Sequence, residues 1–179
     1  MSLRQMLMRV LTDYPTERAK PLAENPLAQF IRGQGADSVR SSLVSTQLGL
    51  TVQGSPGQGN WAEVPWVAVF YPVVTVTATQ GYYVVYLFNT ANGTVCLSLN
   101  QGTTAVRKEF GEKLSLQVLR ERAALIRSRV ADYAEYFDIG PIELGSNGIL
   151  PRGYEAGHAF GRTYFLQRMP GESELQKDL

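Results

Sequence analysis

Seven consecutive residues, Tyr82 to Phe88 (YYVVYLF), are all aromatic, β-branched or leucine. No other segment of the chain constrains its fold as much. Such a run is the strongest strand signal in the chain. Alternation puts Tyr83, Val85 and Leu87 on one face and Tyr82, Val84, Tyr86 and Phe88 on the other. Asn92-Gly93 then marks a turn, and Thr94–Leu99 (TVCLSL) supplies the returning strand of a hairpin. Two more strand-like stretches precede it, Leu48–Val52 and Pro65–Phe70, separated by the glycine-rich GSPGQGN (54–60), which reads as a flexible loop. A last strand is expected near 157–166.

Helical spacing frames these strands. Leu3, Met6, Leu7, Val10 and Leu11 predict a helix over 2–13, ended by Asp13-Tyr14-Pro15. Asn25-Pro26 reads as an N-cap followed by proline in the first turn, opening a short helix to Gly33, with another over 36–45. From Thr104 to Ala134 the period is again helical, and Gly140-Pro141 breaks it. Consecutive strands joined by short connections predict an α+β domain, with an antiparallel or mixed sheet and helices packed to one side. At 179 residues the chain suits one domain. We expect that domain over 1–170, followed by an acidic linker or tail over 171–179.

Composition excludes more than it assigns. Apolar residues make up 44% and the formal net charge is +1, so the chain is neither disordered in type nor supercharged. No run approaches the length of a membrane span, and the N-terminus lacks the pattern of a signal peptide. The expectation is therefore a cytoplasmic protein with no membrane partner. One cysteine, Cys96, and one histidine, His158, leave no disulfide and no Cys- or two-His zinc site. Both read as core residues. No glycine precedes a lysine, so the phosphate-loop pattern is missing, and there is no GxSxG elbow. We expect no catalytic residues, no metal and no cofactor. Thirteen of the seventeen basic residues are arginine. The pairs Arg107/Lys108, Arg120/Arg122 and Arg127/Arg129 alternate with Glu109, Glu112 and Glu121, as on a solvated helix face. A weakly basic chain can still bind DNA through one local patch.

Three segments carry more than scaffold: GSPGQGNWAEVPWVAVF (54–70), GYYVVYLF (81–88) and PRGYEAGHAF (151–160). Clustered Trp and Tyr beside a glycine-rich segment are what a pocket for a flat ring requires, because aromatic faces stack on bases. Each aromatic taken singly also fits a buried core position. The run GQGNWAEVPWVAVF, then GYYVVYLF, LSLNQG (97–102) and GYEAG (153–157), resembles the N-terminal specificity domain of McrB-type modification-dependent restriction systems, over roughly residues 10 to 168.

The resemblance implies a non-catalytic reader of duplex DNA bearing 5-methylcytosine or 5-hydroxymethylcytosine, which turns the base out of the stack into an aromatic pocket. Carried over, the pocket positions fall on Trp66, Tyr83, Leu87 and Tyr154. The 54–60 segment becomes the element inserted into the duplex. Ser55, Gln58, Gly59, Asn60, Trp61 and Arg152 are its insertion and backbone-contact residues. Gln58 stands where the best-known member of the family carries an aromatic side chain. The implied partners are double-stranded DNA with a modified base, and the GTPase and nuclease parts of the same system, carried on other domains or subunits. The fragment itself is expected to be a monomer. Two alternatives stay open: a reader of N6-methyladenine or N4-methylcytosine in the same pocket, and a non-catalytic protein-interaction module.

Overall fold

The computed structural model describes residues 1–43 and 48–179. Five strands form one antiparallel meander in chain order: β1 (Thr51–Gln58), β2 (Asn60–Phe70), β3 (Tyr82–Asn89), β4 (Thr94–Gln101) and β5 (Phe160–Phe165). The β3 register, with Tyr86 opposite Leu97 and Leu87 opposite Cys96, divides its side chains between the two faces as alternation requires.

The α+β class and the antiparallel sheet are as expected. The helices, expected on one side, are divided between both. On the first face, α1 (Leu3–Glu17), α2 (Pro26–Phe30), α3 (Ala36–Ser42) and α7 (Glu172–Asp178) bury Leu3, Leu7, Val39 and Leu175 against Val67, Tyr86 and Phe88. On the second face, α6 (Ile149–Gly157) and the 138–148 loop cover the strands, while α4 (Thr103–Arg129) packs on α6 and, with α5 (Ala131–Ala134), closes the β5 end of the sheet around Phe160. The physical reason lies in β3 itself, because a strand apolar on both faces needs cover on both. Among the described residues, no helix is long and apolar enough to cross a membrane.

Four local expectations are corrected. Helix α1 does not stop before Pro15 but runs to Glu17. Proline there forfeits one helical hydrogen bond near the helix end. Tyr14 offsets that loss: it is fully buried, with its hydroxyl 2.9 Å from the Pro56 carbonyl and 2.8 Å from that of Ala62. Second, the 26–33 and 36–45 helices are joined through a π-helical turn, Ile31–Gly35, and the last two positions of the latter lie outside the described residues.

Third, residues 54–58 are not a flexible loop but the end of β1, paired to β2 with a bulge between Ser55 and Gly57. The glycines serve close approach rather than mobility. A Cβ on Gly54 would lie 1.9 Å from the Ile31 carbonyl oxygen. Gly57, with φ +127° at the bulge, and Gly59, with φ +74° at the turn, need glycine for their conformation as well. Fourth, residues 172–178 of the expected tail form α7 and fold back onto α1. The Glu172 carboxylate accepts from the Leu3 and Arg4 backbone N–H groups, both at 2.8 Å, and Leu175 is fully buried.

Candidate nucleic-acid interface

The second face of the sheet is incompletely covered. Between the β1–β2 hairpin, the 78–79 segment and the start of α6 lies an open cleft of about 550 Å³. That volume is within the ordinary range for a small-molecule or base-sized ligand, about 300–1,000 Å³. Its walls bring together stretches far apart in sequence: Gln58, Asn60, Trp61 and Trp66 from the hairpin, Ala78 and Thr79, and Tyr154 from α6.

Trp66 sits in a cross-strand row, opposite Ser55 on β1 and Leu87 on β3. It is partly exposed, and it packs on the apolar cluster that holds Tyr83, Leu87 and Tyr154. Tyr154 reaches the same cluster from α6. Burial pushes its phenol up to about 12, although the facing Trp66 indole works in the opposite direction. At neutral pH Tyr154 is therefore an uncharged donor and acceptor at the cleft wall. Tyr83 and Leu87 lie one layer deeper, 4% and 1% exposed, and do not line the cleft directly. Tyr83 crosses Phe70 edge to face at 5.4 Å, and its hydroxyl donates to the Ala78 carbonyl at 3.1 Å, with that of Gln101 at 3.3 Å. It thereby ties the 78–79 wall to the sheet.

Helix α6 is seated by a buried polar network from the LSLNQG stretch. Asn100 Nδ2 donates to Ser98 Oγ and to the Tyr154 carbonyl, both at 3.0 Å. Ser98 Oγ lies 2.7 Å from His158 Nδ1. Gln101 Nε2 donates to the Leu119 carbonyl of α4 at 3.0 Å and reaches that of Gly157 at 3.4 Å. Burial, reinforced by the nearby Arg127, pushes the His158 pKa down to about 4, so the ring is neutral at pH 7. His158 follows α6 directly rather than lying within β5. Two of the segments singled out in the sequence, LSLNQG and GYEAG, are thus in direct contact, and the hydrogen bonds fix where Tyr154 stands.

The hairpin end is anchored from behind. Trp61 Nε1 donates to the Lys20 carbonyl at 2.7 Å, and its ring meets Tyr14 edge to face at 5.0 Å. Arg32 Nη2 donates to the Gly57 carbonyl at 3.0 Å. Gln58 and Asn60 remain exposed at the rim, on either side of Gly59, whose Cα faces open space. Arg152 is on α6 but lines a separate, smaller cleft together with Arg107.

Several wall residues were not singled out in the sequence. Glu63 accepts a hydrogen bond from Ser146 Oγ, and Ser146 Oγ accepts one from the Gly148 N–H at 3.1 Å. This chain fixes the loop that leads into Ile149 and Leu150, which stand exposed on the rim. The available signal was the Gly-Ser-Asn-Gly turn at 145–148, but nothing local says that it folds against Glu63. Cys96 is buried and desolvation pushes its thiol up to about 12, which leaves little thiolate at neutral pH. Among the described residues, no group of three or more His, Cys, Asp or Glu side chains is placed to hold a metal ion.

A family model described as the MrcB-like, N-terminal domain matches residues 9–179, essentially the whole chain. The chain belongs to this family. No curated protein matches it.

Proposed function

Starting from a MrcB-like N-terminal domain, a DNA-binding module of McrB-type restriction systems, we propose that this chain reads a modified cytosine in duplex DNA by taking the base out of the stack into the cleft beside Trp66 and Tyr154. The observation that carries this proposal is the convergence of an exposed hairpin tip and two aromatic side chains on one base-sized cleft. Trp66 and Tyr154 supply ring faces and edges. Tyr83 and Leu87 back them and set the depth of the apolar floor. Gln58, at the hairpin tip, fills the space the base leaves. Ser55, Gly59 and Asn60 shape the tip and approach the backbone, and Arg152 contacts a phosphate.

The magnitudes are compatible with such a reaction. Extruding a base costs a few kcal/mol of pairing and stacking. Stacking on aromatic side chains returns about 1–3 kcal/mol per base. A 5-methyl group buried in the apolar wall adds about 0.8 kcal/mol. Discrimination therefore rests on the shape of the wall as well as on the methyl group. The domain performs no chemistry on the base. It marks the site for the GTPase and nuclease parts of the same system.

Fluorescence anisotropy on one short duplex made in five forms tests this directly. The forms carry cytosine, 5-methylcytosine, 5-hydroxymethylcytosine, N4-methylcytosine or a neighbouring N6-methyladenine, all at one salt concentration. Tighter binding to the 5-substituted cytosines is expected. Tightest binding to N4-methylcytosine or N6-methyladenine would reassign the pocket, and equal binding to all five would leave DNA binding without modification sensing. No binding would turn attention to a protein partner.

A further inference from the structure

Helix α4 holds positive charge that the rest of the chain does not. Between Thr103 and Arg129 there are seven Lys and Arg against three Glu, in a chain whose formal net charge is +1. The remaining residues are thus net acidic. Arg107 of α4 and Arg152 of α6 converge on one small cleft with Thr103, Ser115 and Leu116. Ile149 lines both this cleft and the large one, so the two adjoin. Glu112 is the carboxylate that also lines the small cleft. Among the described residues, neither guanidinium is in an ion pair.

The helix is broken at Gly111, with φ 74° and ψ 173°. Beyond the break, Lys113 and Arg120 are exposed and stand three and four residues from Leu116. Helical spacing puts both on the face that Leu116 turns to the small cleft. Of the other acidic residues on α4, Glu121 is hydrogen-bonded to Gln117 at 2.9 Å, and Glu109 precedes the break. Arg152 and Arg107 at the small cleft, with Lys113 and Arg120 on the Leu116 face beyond the break, therefore gather four cations beside the base cleft. Lys113 to Arg120 spans about 10 Å of helix axis at about 1.5 Å per residue. That is close to the rise of three base pairs along the duplex axis, at about 3.4 Å each.

We infer that this face of α4 is a second contact surface, which carries the sugar–phosphate backbone of the same duplex beside the extruded base. The inference rests on the DNA-reading function proposed above and extends it to residues outside the cleft. The partner is recognised by charge alone, so the surface adds affinity and orientation without reading sequence.

The test is salt dependence. Anisotropy titrations of the whole chain on a 5-methylcytosine duplex and its unmodified twin would run from about 50 to about 200 mM salt. The Lys113→Ala/Arg120→Ala double variant changes exposed side chains only, so it keeps the fold. Each lost phosphate contact makes the slope of log K against log salt shallower by about 0.9. The double variant should therefore lose about 1.8 from the slope and bind several-fold more weakly at low salt, with the ratio between the two duplexes unchanged. Arg107→Ala should do the same by about 0.9. Unaltered slopes and affinities in both variants, with a wild type that binds the modified duplex, would overturn the inference. So would loss of the ratio at constant slope. Trp66→Ala separates the two proposals, since it should abolish the ratio and keep the slope. A wild type that binds neither duplex would defeat the base-reading function and this surface with it.

Discussion

Strand β3 sends Tyr86 and Phe88 to one face of the sheet and Tyr83 and Leu87 to the other, yet the two faces are finished differently. The first is sealed over its centre by α1, α2, α3 and α7, where Leu3, Leu7, Ile31, Tyr86, Phe88 and Leu175 are completely buried, and keeps only a smaller apolar hollow of about 280 Å³ at the strand ends beside Val69, Tyr82 and Leu179. The second is spanned by a long loop and by helices held through hydrogen bonds as much as through apolar contact, and it leaves a cleft. Apolar packing tolerates no gap without a stability cost. A hydrogen-bonded seat can hold a helix at a distance from the sheet and leave room for a ligand. The two faces divide the labour between stability and binding.

Substitutions should separate them. Phe88→Ala on the sealed face should cost about 3–5 kcal/mol of folding stability, read by chemical denaturation, while the folded fraction keeps its base preference. Trp66→Ala on the open face should do the reverse, with a stability loss of about 1–2 kcal/mol and no remaining preference. If Trp66→Ala in a folded protein discriminates as well as wild type, the division between the faces fails.

The polar seat makes the open face sensitive to acid. The folded pKa of His158, about 4, lies below the ordinary value of 6.5. The unfolded chain then binds more protons between those values, so stability is fully present above pH 6.5 and is lost as pH falls towards 4. The loss is on the order of 3 kcal/mol. His158→Gln should flatten that part of the stability–pH curve, and an unchanged curve would remove His158 from the seat.

On the sealed face, partial burial raises the Glu172 carboxyl, but the Arg4 and Leu3 N–H groups outweigh it and hold the pKa below the usual range. The stability Glu172 adds is present above the ordinary carboxylate range and lost as pH falls through its lowered folded value. Glu172→Gln should cost about 1 kcal/mol, as for loss of a helix cap, with DNA binding unaffected. The smallest effect should come from Gln58→Ala at the hairpin tip: a modest loss of affinity by anisotropy, with base preference intact. Complete loss of preference would mean that the tip reads the base itself.

Much of this arrangement was legible in the chain. YYVVYLF and its hairpin partner read correctly as central strands, although helices were expected on one side only, and the segments around Trp66, Tyr83 and Tyr154 are brought together in one apolar cluster. The rest depended on contacts distant in sequence. GSPGQGN looks mobile because glycine usually is, but Gly54 is there to let Ile31 approach. The last nine residues look like a tail because they are polar, but Leu175 and Glu172 find α1 across the whole length of the chain. Glu63 looks like a surface carboxylate until Ser146 arrives from 83 residues away. Local pattern reports which side chains want burial, not which partner completes a wall.

The most direct measurement is a crystal structure of the chain bound to a duplex with one 5-methylcytosine. The modified base should lie outside the helix, with its ring against Trp66 and Tyr154 and Gln58 in the gap it leaves. A base still paired within the duplex, with the cleft turned away from the DNA, would contradict that arrangement.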